Sequence, residues 1–309
     1  MQSLRAMQLA EKEIIIKAPW GKLRGLTWGV KGNPPVFLCH GRMDACSGFR
    51  PLLQFLPRCF YYVAVDLPGN GRSDQLPRGV QLNAMDYVPT VKVVREHFNW
   101  EKFIYVGHSL GAMMGKYFNI AYPGHITRMV ELDPAPAHVC YSQDVEGVRR
   151  WYHLYYHKYY EQYGKLNGGG EPPKYTYDKA LEMVMKARGL HKEAAEHVME
   201  RVLLPTGDGL FRFTHDQRLK TFTHMPFTGD AYRAIYTATT TPTFSVLAQG
   251  SIDDGDYDQT SFVKDPACWP NGNYSMKIVE GRHDVHISHP ERMAEDVSQF
   301  MLKDVKAKM

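Results

Sequence analysis

The chain has 309 residues, of which 44% are hydrophobic and 23% charged, a composition typical of a globular protein with one large core or two unequal domains. The formal net charge of +4 comes from scattered cations, so we expect no nucleic-acid groove, and no apolar run is long enough to predict a membrane span. Five cysteines without paired spacing predict free thiols in a reducing compartment.

Short β-type runs alternate with helical patterns through the first half of the chain. The predicted elements are a hairpin at 13–16 and 23–30, strands at 36–38 and 61–66, a helix at 83–98, a strand at 103–106, a helix at 110–122 and a strand at 126–132. The strands are continuously apolar, which is typical of strands buried on both faces. The pattern therefore predicts an α/β protein with a mostly parallel sheet covered by helices on both faces.

The pattern changes after residue 136. Residues 137–234 lack clear buried strands and hold an aromatic block (WYHLYYHKYYEQYG, 151–164), a flexible NGGGEPP stretch and a charged amphipathic helix near 177–199. Strand patterns return at 243–248 and 274–279, and a last helix is predicted from Pro290 to about Lys303. We therefore predict a core domain formed by 1–136 and 235–309, interrupted by a helical cap, or lid, at 137–234.

The tyrosines of the aromatic block recur at spacings of three and four residues, which predicts that they share one side of a helix. That side would either pack the lid onto the core or present phenolic hydroxyls to a cleft. Both alternatives stay open for different members of the block.

The stretch Gly107-His108-Ser109-Leu110-Gly111 lies between a predicted strand and a predicted helix. A nucleophilic serine needs such a sharp turn to stand clear of the sheet, and glycines two residues before and after it relieve the crowding. The turn also places the serine at a helix N-terminus, where free N–H groups stabilise developing negative charge. The pattern predicts that Ser109 is a nucleophile, with an ordinary strand-to-helix turn as the alternative.

An oxyanion hole needs two N–H donors aimed at the developing negative oxygen. We expect one from the backbone of Leu110, directly after the nucleophile. The second is expected from the loop His40-Gly41-Arg42-Met43-Asp44, most simply from the backbone of Arg42. His40 itself is expected to pack beneath that loop.

The segments LCHGRMD, DLPGNGRSD, VGHSLGAMMG and EGRHDVHISHPERMA, in this order, resemble the α/β-hydrolase superfamily. The HG-x-x-D, LDPAP and HxxHxxHPE segments are most similar to the kraken-like and serine hydrolase-like proteins of animals. The resemblance implies an eight-stranded, mostly parallel sheet, a lid inserted after strand 6 and a Ser-acid-His triad. The sequence departs from this pattern at Arg42, where the family usually has an aromatic residue, and at Asn70, where it usually has histidine.

Three histidines compete for the role of base. The family pattern implies a base soon after the last strand and ahead of the proline that opens the final helix, which favours His283 over His286 and His289. The same spacing could suggest a metal site, but no cysteine or carboxylate set completes it, so we predict neither metal nor cofactor.

The acid of the triad orients the histidine and stabilises its charged form. Gly250-Ser251-Ile252-Asp253 matches the family's Gly-x-x-acid turn, so we choose Asp253, with Asp254 and Asp256 as neighbours that confuse the choice. Some relatives hold the acid after strand 6, which makes Asp133 another option. We favour a turn or cap role for that residue.

The resulting expectation is a serine hydrolase that cleaves a small to medium apolar ester, or a thioester, amide or lactone. The alternatives are a non-catalytic ligand-binding protein on the same scaffold and a C–C bond hydrolase with the same triad. The C-terminal Ala307-Lys308-Met309 resembles a peroxisomal address, so we expect a peroxisomal or cytoplasmic protein. The sequence makes no prediction about oligomeric state.

Overall fold

The computed structural model describes residues 10–134 and 140–303. The predicted C-terminal address at 307–309 and the start of the predicted lid at 137–139 lie outside the described residues. The strands are, in chain order, β1 (Glu11–Ala18), β2 (Gly21–Trp28), β3 (Pro35–Cys39), β4 (Tyr61–Val65), β5 (Phe103–His108), β6 (Ile126–Leu132), β7 (Leu203–Pro205), β8 (Phe211–Phe213), β9 (Thr243–Ala248) and β10 (Tyr274–Val279).

The α-helices of the described residues connect these strands and build the segment between β6 and β9. They are α1 (Arg50–Leu53), α2 (Val88–His97), α3 (Leu110–Ala121), α4 (Val145–Tyr152), α5 (Lys158–Glu161), α6 (Tyr163–Leu166), α7 (Tyr177–Arg188), α8 (Lys192–Val202), α9 (Gly229–Thr237), α10 (Gln249–Asp253), α11 (Val285–Ser288) and α12 (Glu291–Leu302). A single π-helical turn, His153–His157, links α4 to α5.

Eight strands form one sheet in the order β1-β2-β4-β3-β5-β6-β9-β10. The pairs β1–β2 and β2–β4 are antiparallel. The pairs β4–β3, β3–β5, β5–β6, β6–β9 and β9–β10 are parallel. The predicted eight-stranded, mostly parallel sheet is therefore confirmed. Because β3, β5, β6, β9 and β10 run in the same direction, the loops after them meet at one edge of the sheet, where α/β proteins build their sites.

Alternation along the central strands divides the hydrophobic core between the two faces of the sheet. On β5, Phe103 and Tyr105 pack on the face that α2 and α3 cover, whereas Ile104 and Val106 pack on the face that α12 covers. All four side chains are buried. This double burial explains why β5 carries the continuous apolar pattern that the sequence shows.

The helical segment between β6 and β9 differs in detail from its prediction. The expected single helix at 177–199 is wrong: α7 ends at Arg188 because Gly189 adopts a left-handed φ of 64°, and α8 begins after His191, whose ring caps it by accepting from the N–H of Ala194. A short antiparallel hairpin, β7–β8, follows α8. Neither feature has a hydrophobic period, so the sequence pattern does not show it.

The aromatic block also divides between inside and outside. Tyr155 and Tyr159 are buried, whereas Tyr152 and Tyr160 are half exposed. Trp151 donates from its indole N–H to the carbonyl oxygen of His224 at 2.9 Å. Part of the block therefore packs within the helical segment and part faces outward.

The helical segment rests on the core through its own apolar cluster. Buried residues of α7 and α8, including Val184 and Val198, pack with Ala45 and Ile287 of the core.

Across 10–134 and 140–303, no helix has both the length and the apolar character that crossing a bilayer requires.

Candidate active site

Ser109 occupies a strained turn between β5 and α3, with φ 53° and ψ −119°. The flanking glycines make this turn possible. A Cβ atom at Gly107 would lie 2.6 Å from the backbone nitrogen of Ala112, and one at Gly111 would lie 2.2 Å from the carbonyl oxygen of Cys39. The two glycines of the sequence pattern are thus required by close backbone contacts, as a nucleophile turn demands.

The loop after β3 passes close to this serine. A Cβ atom at Gly41 would lie only 3.1 Å from the Cβ of Ser109. His40 holds the loop from below, because its Nε2 accepts from the N–H of Leu67 at 2.9 Å and its Nδ1 is 2.7 Å from the carbonyl oxygen of Gly41. Both ring nitrogens are therefore engaged in holding the loop, in agreement with the supporting role expected for His40.

The two expected oxyanion donors come to the same cavity as Ser109. Leu110 is the first residue of α3, and N–H groups in the first turn of a helix have no acceptor within the helix. Arg42 lies one residue beyond the point where the loop approaches Ser109, and both residues line the cavity with it. The two sequence-predicted donors thus line the same cavity as the candidate nucleophile.

The structure pairs His283 with Asp133. Its Nδ1 lies 2.7 Å from the Asp133 Oδ2. The carboxylate also accepts from the N–H of Ala248 at 2.9 Å, from the Ser251 hydroxyl at 2.5 Å and from the Tyr257 hydroxyl at 2.7 Å. Asp133 is 1% exposed, so these donors replace the water that a buried carboxylate loses. Nδ1 is occupied by this bond, which leaves Nε2 for other chemistry.

Each member of this pair favours the charged form of the other. Burial alone would raise the pKa of Asp133, but the hydrogen bond and charge of His283, with the donors Ser251 and Ala248, hold that pKa below its usual value. Burial alone would lower the pKa of His283, yet the adjoining Asp133 carboxylate raises it. An acid that stabilises a protonated imidazole is the arrangement that general-base catalysis requires.

The choice of Asp253 as the partner of His283 is therefore corrected. Gly250 to Asp253 belongs to the helix α10, and its last residue is exposed. The carboxylate of Asp253 accepts from the side-chain amide of Gln249 at 2.8 Å. The segment still serves the site, because Ser251 donates to Asp133.

The two neighbouring acids do not reach the imidazole either. The Asp254 carboxylate is paired with Arg282 at 3.8 Å. Burial and the nearby charge of Asp133 raise the pKa of Asp256. The acid that the sequence pattern treated as a turn residue, Asp133, is the one in contact with the histidine.

The other two histidines of the HxxHxxH pattern lie elsewhere. His286 is 1% exposed, and burial lowers its pKa to about 3. Its ring lies 4.1 Å, centre to centre, from the ring of His108. His289 contacts the hydroxyl of Ser288 through Nδ1 at 3.0 Å. Only His283 of the three contacts a carboxylate that fits the acid of a triad, within the residues that the structure describes.

A second charged cluster shares the cavity wall with the candidate site. Arg188 of α7 reaches from the helical segment to two buried carboxylates, Asp44 at 2.9 Å and Asp284 at 2.5 Å. The side chains of His108 and His286 complete a group whose donor atoms lie within 4.8 Å of one another and could serve as metal ligands. The guanidinium already neutralises part of both carboxylates, so this cluster has a structural explanation without an ion.

A cavity of about 750 Å³ opens above Ser109 and His283. Its wall combines the core loops with the helical segment between β6 and β9. The apolar part of that wall comes from α7, α8, β8 and the chain before α9, through Val184, Val198, Val202, Phe213 and Phe222. This size suits a small or medium organic molecule.

The match to known proteins agrees with this geometry. A family model described as the alpha/beta hydrolase fold matches residues 34–169. The structure of a hypothetical protein from Pseudomonas aeruginosa superposes with a TM-score of 0.79 over 94% of this chain and 98% of that chain, at 24% identity. The chain has the α/β-hydrolase fold. The resemblance noted in its motifs is confirmed.

The chain also has relatives that match it over most of its length. It is 27% identical to the serine hydrolase-like protein of Danio rerio over 96% of this chain and 90% of that protein. It is 26% identical to the human serine hydrolase-like protein 2 over 94% of this chain and 93% of that protein. The carboxylesterase CesB of Bacillus subtilis shares the fold with a TM-score of 0.60 at 18% identity, covering 98% of this chain and 95% of that one. The two serine hydrolase-like relatives support a hydrolase, whereas the likeness to CesB shows the shared fold alone.

Proposed function

We propose that this α/β-hydrolase is a serine hydrolase that cleaves a small to medium carboxylic ester or thioester through Ser109, His283 and Asp133. The observation that carries the proposal is the 2.7 Å contact between His283 Nδ1 and the buried carboxylate of Asp133. It lies beside a serine in a strained turn that faces the same cavity. Amides and lactones would react by the same steps.

In the proposed reaction, the Oγ of Ser109 attacks the carbonyl carbon while Nε2 of His283 takes the hydroxyl proton. The carbonyl electron pair moves to oxygen, where the backbone N–H groups of Arg42 and Leu110 bind it. The C–O or C–S bond then breaks, and the leaving group takes the proton from His283. Water attacks the acyl-enzyme in the same way, which releases the acid and restores Ser109.

We further propose that residues 137–234 act as a lid over this cavity. Support comes from the cavity wall, to which α7 and α8 contribute apolar side chains while the loops after β3, β5 and β10 contribute polar ones. A lid of this kind excludes water from the acyl-enzyme and sizes the acyl group.

The first test is labelling by an alkyl fluorophosphonate, which bonds covalently to an activated serine. We expect the wild-type protein to be labelled at one site and the Ser109→Ala variant to be unlabelled. Ser275→Ala, at an exposed position on β10 outside the cavity wall, is the control, and it should keep the label. A series of p-nitrophenyl esters with increasing acyl length would then measure the size of the pocket.

Two outcomes would contradict the proposal in different ways. Label retained in Ser109→Ala would show that another residue is the nucleophile. Tight ligand binding together with ester turnover equal to that of Ser109→Ala would favour a ligand-binding protein. Turnover of a vinylogous diketone but of no ester would favour C–C bond hydrolysis.

A further inference from the structure

The wall of the cavity contains an arginine whose charge is not matched by a carboxylate. Arg42 donates from Nη1 to the carbonyl oxygen of Leu219 at 3.1 Å. Within the described residues, 10–134 and 140–303, no carboxylate forms an ion pair with it. A guanidinium has five N–H donors, so most of its hydrogen-bonding capacity is left for another group.

Three other arginines, all less exposed than Arg42, are paired with carboxylates. Arg188 pairs with Asp44 at 2.9 Å, Arg201 with Asp66 at 2.9 Å and Arg218 with Asp216 at 2.7 Å. Their pairing follows the general rule that a charge removed from water needs a partner. Arg42 has no such partner among the described residues, and it lies on the cavity wall.

The surroundings of the Arg42 guanidinium indicate that its remaining N–H donors face the cavity. Its side chain is exposed, yet protein atoms crowd it enough that burial lowers the pKa of the guanidinium. A side chain on the inner wall of a cavity is reached by solvent and is also closely surrounded by protein atoms, which accounts for both observations. It follows directly on Gly41, which approaches Ser109, so the charge is attached to the loop that borders the candidate nucleophile.

A second unpaired cation lies beside it. Lys220 follows Leu219, the residue whose carbonyl accepts from Arg42, and it lines the same cavity. No carboxylate of the described residues pairs with its ammonium group. His215 also lines the cavity, and burial together with the charge of Lys220 lowers its pKa to about 4. The part of the cavity wall where the loop after β3 meets the helical segment therefore offers two cations and a neutral imidazole.

The acids of the cavity wall do not neutralise these cations. Asp44 and Asp284 are engaged by Arg188, and Asp254 is paired with Arg282. Asp256 belongs to the segment after β9, beside the His283 end of the cavity.

We propose that the substrate of this site carries an anionic group, a carboxylate or a phosphate, which the side chains of Arg42 and Lys220 bind. The proposal rests on the proposed hydrolase function and adds the class of ester: an apolar body with a negative end. A planar guanidinium beside an ammonium group is a pairing that binds both kinds of oxyanion. Arg42 would then act twice, through its backbone on the oxyanion of the reaction and through its side chain on the remote anion.

The test compares three p-nitrophenyl esters whose acyl chains have the same length and end in a carboxylate, a phosphate or a neutral methyl ester. We expect kcat/KM for at least one anionic ester to exceed that for the neutral ester by tenfold or more. Arg42→Met should remove about tenfold to 100-fold of that preference, the range for a hydrogen bond to a charged group, and Lys220→Met should remove less. The two anionic arms separate a carboxylate substrate from a phosphorylated one.

Two further variants control for charge and position. Arg42→Lys keeps a cation and should restore part of the preference. Arg212→Met removes the same charge from an exposed position on β8, outside the cavity wall, and should keep the full preference. Equal loss on anionic and neutral esters in Arg42→Met, or a wild-type preference for the neutral ester, would overturn the proposal while the hydrolase function stands.

A binding measurement tests the anion site independently of turnover. It therefore separates a failure of this inference from a failure of the proposed hydrolase function. Monomethyl adipate and dimethyl adipate are titrated calorimetrically into the Ser109→Ala variant with and without Arg42→Met. We expect only the anion to bind, and to bind at least tenfold more weakly when Arg42 is replaced. Equal binding of both compounds, or binding of neither, overturns the inference.

Discussion

Asp133 combines a left-handed φ of 41° with a carboxylate that is almost fully buried. Each feature alone is unfavourable, the first through steric strain and the second through lost hydration. The hydrogen bonds from Ser251, Tyr257 and the backbone of Ala248 offset the lost hydration. Such strain persists only where the surroundings over-determine it, and here the surroundings direct the carboxylate to His283.

Replacement of Asp133 by asparagine removes the charge and keeps the size of the side chain. We expect kcat for a p-nitrophenyl ester to fall about 10³-fold to 10⁴-fold, because the imidazole loses the group that orients it and stabilises its protonated form. Because the Asp133 charge raises the pKa of His283, the acidic limb of the kcat/KM profile should also move to lower pH. A pH profile of each variant measures both effects.

Asp253→Asn is the matched control, since it makes the same change at the exposed acid that the sequence favoured. Its activity and pH profile should match those of the wild-type protein within a factor of about two. A loss in Asp253→Asn with little effect of Asp133→Asn would reverse the assignment.

The sequence indicates the candidate nucleophile and base more readily than the candidate acid. Ser109 and His283 follow single strands with local signals, a glycine-flanked turn and a position ahead of Pro290. The partner of His283 lies 150 residues away, and its donors come from the segment 248–257, so no local pattern reports them. The usable signal was topological: β6 is the neighbour of β5, which brings the residue after β6 beside the residue after β5.

At the scale of elements, the strand-to-helix unit β5–α3 depends on a close approach of backbones. Gly111 lies so near β3 that a Cβ atom there would meet the carbonyl oxygen of Cys39 at 2.2 Å. The hydroxyl of Tyr105 also donates to the carbonyl oxygen of Gly111 at 2.6 Å, which ties the first turn of the helix to the strand before it. The candidate nucleophile is thus positioned by three elements together.

Gly111→Ala should therefore move α3 away from β3. We expect it to lower the free energy of unfolding by about 2 kcal/mol or more and to reduce fluorophosphonate labelling strongly. Gly164→Ala, in α6, is the control, because a Cβ atom there meets no atom within 4 Å and alanine favours a helix. Urea unfolding of both variants gives the comparison, and equal stability of the two would contradict this account.

Regular elements were predictable where one hydrophobic period extends over the whole element. The strands of the sheet and the helices α2, α3 and α12 agree with their sequence patterns within a few residues. The helical segment was less predictable for two reasons. The left-handed backbone of Gly189 ends α7 before α8 begins, and each strand of the hairpin β7–β8 has only three residues. A period cannot be established over so few residues.

At the scale of the whole molecule, buried ion pairs connect the helical segment to the core. Arg201 of α8 is fully buried and contacts Asp66 at 2.9 Å and Glu13 at 2.6 Å. Arg188 of α7 contacts Asp44, in the loop after β3, and Asp284, in the loop after β10. Separation of the helical segment from the core would leave these carboxylates without partners, so the pairs hold the two together.

Arg188→Met tests this connection. At pH 7 we expect the free energy of unfolding to fall by about 3 kcal/mol or more, because two buried carboxylates lose their counter-ion. In the wild-type protein burial alone would raise the pKa of Asp284, but the charge of Arg188 depresses it. The stabilisation from this ion pair is therefore fully present above the unfolded-state pKa, near 4. It is lost as the pH falls through the depressed folded-state pKa.

The difference in the free energy of unfolding between the wild-type protein and Arg188→Met should therefore shrink as the pH falls from 7 to 3, since a protonated Asp284 no longer needs the arginine. Addition of Asp44→Asn and Asp284→Asn to Arg188→Met should recover part of the lost stability at pH 7, whereas Arg212→Met alone should leave stability within about 0.5 kcal/mol of the wild type. Urea unfolding at each pH supplies the values. A destabilisation that stays constant with pH would assign the role of Arg188 to packing of its hydrocarbon stem instead of to its charge.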